Sequence, residues 1–205
     1  SAIEAMDKIG AVEALPILRQ LFLTRPVFRP TIAEAIGLIG QPEMAAFLEE
    51  QLDITDPVVA FAIVDALGNL GQTSSVRVLM PFYEASIGEL RHQTAKAILK
   101  IARKAQLDIL NEVPSVFWNS VANLLIEGDQ EVEDLIVFHI QHSPTATVLA
   151  MMGQMLSIAP EHLLLTFINL VKGRPEFFNL LVHLCYHKDQ NVAYAAIESL
   201  GGFER

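Results

Sequence analysis

Ala66-Leu67-Gly68-Asn69-Leu70-Gly71 repeats Ala35-Ile36-Gly37-Leu38-Ile39-Gly40 thirty-one residues later. After a further thirty-one residues, Ala97-Ile98-Leu99-Lys100-Ile101-Ala102 keeps the apolar pattern and drops the glycines. The repetition extends outward. Asp56-Pro57-Val58-Val59 through Ala66-Leu67-Gly68 returns as Asp189-Gln190-Asn191-Val192 through Ser199-Leu200-Gly201. A period of about thirty residues with helical spacing inside it specifies an all-α superhelix, a solenoid of stacked helix pairs.

Each unit reads as a helix A, a tight turn and a helix B. Equivalent apolar positions of the A helices line up: Phe28, Ile32, Ile36, Ile39; Val59, Ile63, Leu67, Leu70; Leu90, Thr94, Ile98, Ile101; and Val192, Ala196, Leu200, Phe203. Steps of four, four and three trace one stripe on a helix, and no alternation at two competes with it. The A helices are expected near 2–9, 27–39, 57–70, 88–104, 130–142, 160–172 and 190–203. The B helices are expected near 12–23, 43–53, 75–86, 115–127, 144–157 and 175–187.

Gly40 and Gly71 stand just past the A stripe, where a left-handed glycine stops a helix. Gly37 and Gly68 lie inside the helix at a cost of about 1 kcal/mol relative to alanine, which close approach of a neighbouring helix would explain. Asp56, Asp129 and Asp189 read as N-caps, and Ser143-Pro144 as a similar start. Unit starts near 25, 56, 87, 129, 159 and 189 leave one long step. The chain therefore reads as one solenoid over 1–205 with an insertion or irregular unit near 104–114. Apolar Ile3, Met6, Leu200 and Phe203 at the two ends suggest a fragment of a longer array, or ends that pack against another molecule.

Composition narrows the function. Of 205 residues, 52% are apolar and 19% charged, below the usual quarter, as many helix-packing positions require. A formal charge of −10 argues against nucleic acid and against an anionic membrane surface as partners. No apolar run reaches the length of a membrane span, and the N-terminus shows no signal pattern. The lone Cys185 cannot form an internal disulfide, which fits a reducing, cytoplasmic setting. The densest cationic stretch, Lys96, Lys100, Arg103 and Lys104, reads as a solvated face or an anion-binding stripe.

The fragment Asp-x-x-Val-x-x-Ala-(A/I)-x-x-(A/S)-Leu-Gly at 56–68 and 189–201 resembles HEAT-like repeats of the phycobilisome-lyase type. Arg29 and Arg91 occupy a position where that family often carries arginine, whereas Ala60 and Ala193 depart from it. The resemblance covers about 1–104 and 189–205 and is weaker between. It implies a fold, and by analogy a partner-binding surface on the concave, B-helix side.

Chemistry is sparse. His183 and His187 share a face of a predicted helix, and His139 and His142 stand three apart, yet neither pair has the further ligands of a zinc site. There is no paired His-Glu motif of the di-iron hydroxylase type, no phosphate loop and no nucleophile elbow. No cofactor or metal is expected. Glu49-Glu50 and Glu133-Asp134 read as solvated acids. Met151, Met152 and Met155 share one face, which favours the core. Tyr83 and Trp118 are either core rings or interface anchors.

The leading expectation is a non-catalytic scaffold that binds another protein or peptide through B-helix rows. Pro16, Ala46 and Arg77 form one row, and Arg19, Glu49 and Met80 the next. With Glu50, Tyr83 and Trp118, the candidate contacts are Arg19, Glu49, Glu50, Arg77, Met80, Tyr83 and Trp118. The alternatives are a bilin-lyase-like accessory that handles a chromophore, and an oligomerisation module that self-associates through its repeat ends.

Overall fold

A computed structural model describes residues 12–106, 110 and 113–202. Every regular element among them is helical. The chain divides into two compact units, 1–107 and 108–205. The division falls inside the stretch where the period breaks. Residues 107–109, 111 and 112 of that stretch lie outside the described residues, as do the expected helix 2–9 and Phe203.

The first unit contains α1 (Leu15–Thr24), α2 (Arg29–Ile39), α3 (Ala45–Glu50), α4 (Pro57–Leu70), α5 (Val76–Ala85) and α6 (Gly88–Ala105). The A helices α2, α4 and α6 stack in order, and the B helices α1, α3 and α5 lie beside them. The stripe is buried as its spacing requires. Ile32, Ile36, Ile63, Leu67, Ile98 and Ile101 are fully enclosed, and Phe22, Leu48, Leu79 and Tyr83 meet them from the B side. Phe28 departs from the expectation. It ends a 3-10 turn ahead of α2 and stays half exposed.

The internal glycines sit where the A helices touch. A Cβ built on Gly37 would lie 2.7 Å from Ala66 Cα, and one on Gly68 would lie 3.0 Å from Ala97 Cα. Glycine from one helix thus receives alanine from the next, as a two-rung ladder. Gly40 and Gly71 close α2 and α4 at φ 77° and 73°, a backbone that other residues adopt with strain.

The second unit contains α7 (Ser115–Ile126), α8 (Gln130–His142), α9 (Thr145–Met155), α10 (Glu161–Val171), α11 (Phe178–Leu184) and α12 (Gln190–Gly201). Here α8, α10 and α12 form the A layer, and α7, α9 and α11 the B layer. Leu135, Ile136, Val148, Leu163, Phe167, Phe177 and Val192 fill its interior, with Met151, Met152 and Met155 as core residues.

Aspartate caps start three of the helices, α4, α8 and α12. The Asp56 and Asp129 carboxylates accept from the N–H groups of Val59 and Val132, and Asp189 accepts from Asn191 and Val192. Ser143 does not cap α9; Pro144 holds that position without a side-chain hydrogen bond. Four B helices, α1, α3, α5 and α11, start one to three residues later than expected because a 3-10 turn precedes each of them, at 12–14, 42–44, 73–75 and 175–177. α3 also stops at Glu50 rather than near 53. The Asp53 carboxylate accepts from the N–H and the hydroxyl of Thr55, which holds the chain in a turn that competes with the helix.

Candidate partner-binding surfaces

The B-helix rows of the first unit stand on the surface. Pro16, Ala46 and Arg77 are exposed, and so is Arg19, while Glu49 and Met80 are half-buried. Two row members also reach across repeats. The Arg19 guanidinium lies 5.0 Å from the centre of the Phe47 ring, and Glu49 Oε1 accepts from Ser75 Oγ at 2.6 Å. These contacts fix where the row points. Glu50 is exposed beside it. Pro81 lies inside α5 and has no N–H for the carbonyl of Arg77, so the helix is free to bend within the row.

Tyr83 and Trp118 are interior residues. Tyr83 is 0% exposed and Trp118 3%, the latter meeting Phe117 edge-to-face at 5.2 Å. Both rings sit on the core side of their helices, so packing accounts for them and neither presents area to a partner.

The structure adds a groove that the sequence did not announce. Pro30, Glu34, Val58, Phe61, Ile87 and Glu89 are among the residues around a recess of about 510 Å³ along the starts of α2, α4 and α6. Val58 is 67% exposed and Ile87 80%, with Glu34 and Glu89 contributing negative charge. The available signal was an apolar residue off the stripe in the first turn of a helix. It is hidden in a sequence of which 52% is apolar.

The cationic stretch does a different job from either expectation. Lys100 Nζ donates to Asp65 Oδ1 at 2.9 Å and to Asn69 Oδ1 at 3.1 Å. Lys104 Nζ donates to the carbonyls of Asn69 and Leu70, the negative end of α4. Both lysines therefore bind α6 to α4.

The histidines do not converge either. α11 ends at Leu184, so His187 lies beyond the helix and shares no helical face with His183; its Nδ1 accepts from the Asp189 N–H. His139 is buried with Nδ1 3.0 Å from Ser143 Oγ, and His162 pairs with Glu133 at 3.1 Å. Among the described residues no group of three His, Cys, Asp or Glu could hold a metal ion. Asp53 has its carboxyl held below the ordinary value, because Thr55 donates to it from the backbone and then from its hydroxyl. That shift belongs to a turn rather than to a reacting group. Among the described residues no helix is long and apolar enough to cross a membrane.

The arginines singled out by the motif are staples. Arg29 Nε donates to the carbonyl of Phe22 while its guanidinium lies 5.6 Å from the centre of that ring. Arg91 donates to the carbonyls of Ser86 and Glu84 and lies 5.5 Å from the centre of the Tyr83 ring. Each ties the start of an A helix to the end of the preceding B helix. Comparison with known proteins agrees with this construction. Residues 24–99 match the family described as HEAT repeats. No curated protein and no solved structure matches the chain. Both rungs of the glycine–alanine ladder and the Arg91 staple fall inside the matched span, Arg29 reaches from it to Phe22 just before it, and over residues 24–99 the chain is similar to HEAT repeats.

Proposed function

We propose that the chain is a non-catalytic protein-binding scaffold whose contact surface in the first unit is the B-helix row of Arg19, Glu49, Glu50, Arg77 and Met80. One observation supports it above others. Apart from Phe28 and Ile39 the A stripe of the first unit is enclosed and apolar or small from repeat to repeat, whereas the B row is exposed or half-buried and changes from cation to anion to thioether. A fixed frame carrying variable side chains is how a repeat array acquires specificity. Helical repeats of this kind commonly mediate protein–protein contacts, which favours a protein or peptide partner.

The groove along the starts of α2, α4 and α6 supports a second surface on the same scaffold. Its apolar walls and acidic Glu34 and Glu89 suit an extended segment with an apolar residue beside a lysine or arginine. The chromophore-handling reading rests on the lyase-type resemblance, and a bilin retained through purification would support it.

The experiment is capture of partners on immobilised protein, in parallel on three forms. One is unaltered, one carries Arg77→Glu with Glu49→Lys, and one carries Val58→Glu with Ile87→Glu. The row reading expects a specific partner lost only with the first pair. Loss only with the second pair transfers the function to the groove. Capture that survives both pairs refutes both surfaces.

A further inference from the structure

The recess along the starts of α2, α4 and α6 crosses consecutive helices of the A layer and does not lie on the end of the stack. A further repeat would lengthen it without filling it. Val58 and Ile87 edge it and are mostly exposed although apolar. Its charged residues are Glu34 and Glu89, both exposed, and no cation lines it. Among the described residues neither carboxylate has a hydrogen-bond or ion-pair partner. The repeat explains why Glu34 has none. Thirty-one residues on, Asp65 takes its place and is satisfied from α6 by Gln93 and Lys100. The residues of α4 equivalent to those two are Ala62 and Asn69, neither of them a cation. Two unopposed charges of one sign beside exposed apolar surface call for a partner that is both apolar and basic.

The spacing of the helices selects the partner's backbone. Gly37 against Ala66 and Gly68 against Ala97 give the two helix pairs the same tight joint. α2, α4 and α6 therefore follow one another at about 8–10 Å, the separation of packed helices. A polyproline II segment turns once in three residues and rises about 9.3 Å in doing so. Laid across the helix starts, it offers every third side chain to successive furrows and turns the two between them outward. A β-strand returns to one face after about 6.6 Å and falls out of step. An α-helix returns after about 5.4 Å, which would set a side chain on α4 itself.

We propose that this recess binds a polyproline II segment of a partner protein, with apolar residues three apart and a lysine or arginine on either side of them. The proposal rests on the second surface described above and gives its partner a conformation and a spacing. One apolar residue enters between Pro30 of α2 and Ala62 of α4, and the next between Phe61 of α4 and Leu90 of α6. The flanking cations meet Glu34 and Glu89.

The probe is a labelled peptide of about eight residues, long enough for two polyproline II turns. It has two leucines three apart, prolines between and beside them, and an arginine at each end. It is titrated against the full chain by fluorescence anisotropy, and saturable binding is expected. A peptide of the same composition with its leucines two apart should bind about tenfold more weakly or worse, and one with glutamate at both ends should not bind. Glu34→Lys with Glu89→Lys should reverse that preference and take the glutamate-ended peptide. Circular dichroism checks that these exposed substitutions keep the fold. Absence of saturable binding, equal binding of the two spacings, or binding that survives Val58→Glu with Ile87→Glu would overturn the proposal. A partner captured by the unaltered chain and lost with that pair, while the peptide does not bind, would keep the groove in use and refute the polyproline II segment alone. Self-association of the chain that the same pair abolishes would make a second copy the occupant and overturn the proposal as well.

Discussion

Replacing Gly37 and Gly201 by alanine should change stability in opposite directions. Each residue is a helical glycine without positive φ, so alanine contributes up to about 1 kcal/mol of helix propensity at either place. The surroundings differ. At Gly37 the new Cβ would lie 2.7 Å from Ala66 Cα and 2.9 Å from its Cβ. Backbone cannot rotate away, so α2 and α4 must separate by several tenths of an ångström along their tightest contact. Overpacking of this kind costs about 1–3 kcal/mol, which exceeds the propensity gain and leaves a net loss of up to about 2 kcal/mol. At Gly201 the added methyl meets nothing within 4 Å, and the propensity gain stands alone. The assay is urea denaturation followed by far-UV circular dichroism, with fluorescence of Trp118, the chain's single tryptophan, reporting the second unit. The midpoint should fall for Gly37→Ala and rise or hold for Gly201→Ala. Gly68→Leu should be worse than Gly37→Ala, because a branched side chain must enter the space held by Ala97 and Lys100. If Gly37→Ala stabilises as much as Gly201→Ala, the ladder is not a tight contact and the reasoning fails.

Other outcomes are open to direct measurement. Asp56→Ala should lower stability by about 1 kcal/mol by removing the cap on Val59, and Asp56→Asn should recover most of it. Ser199→Ala should raise the thermal midpoint, because Ser199 Oγ is buried without a hydrogen-bond partner among the described residues; the gain expected is about 1 kcal/mol, and a fall would mean the hydroxyl is bonded. Elemental analysis of purified protein should find no stoichiometric zinc or iron, and a metal lost on His183→Ala would contradict the placement of His187 beyond α11.

The fold was legible because its evidence is local and repeated. A stripe at four, four and three, closed by glycine, needs no partner to be recognised, and α4 and α8 span the residues expected of them. Gly37 and Gly68 could be read as close contacts because little else explains glycine inside an apolar helix. The surface was less legible. Lys100 and Lys104 looked solvated because Asp65, Asn69 and the end of α4 are more than thirty residues away in sequence. Tyr83 and Trp118 carry the same atoms whether they anchor a partner or fill a core, and only the fold assigns them inside. His187 was placed on a helix that stops three residues before it, where Asp189 turns the chain toward α12.

The two layers of the first unit are joined by different materials. Along the A layer, backbone rests on backbone at Gly37 and Gly68, and Gln93, Lys100 and Lys104 add side-chain ties around the second of these contacts. Along the B layer, neighbours meet through long side chains: Phe22 edge-on to Phe47 at 5.5 Å, Arg19 over the same ring, and Glu49 to Ser75. The first kind of joint resists stretching and the second yields by rotamer change. Thermal bending of this unit should therefore pivot on the A layer, as a book opens on its spine. The A helices keep their distance while the spacing of the B helices varies, with Pro81 adding a second place to flex. A ligand gripping Arg19, Glu49 and Arg77 would set that spacing, so the chain's stiffness, as well as its charge, would contribute to the choice of what it holds.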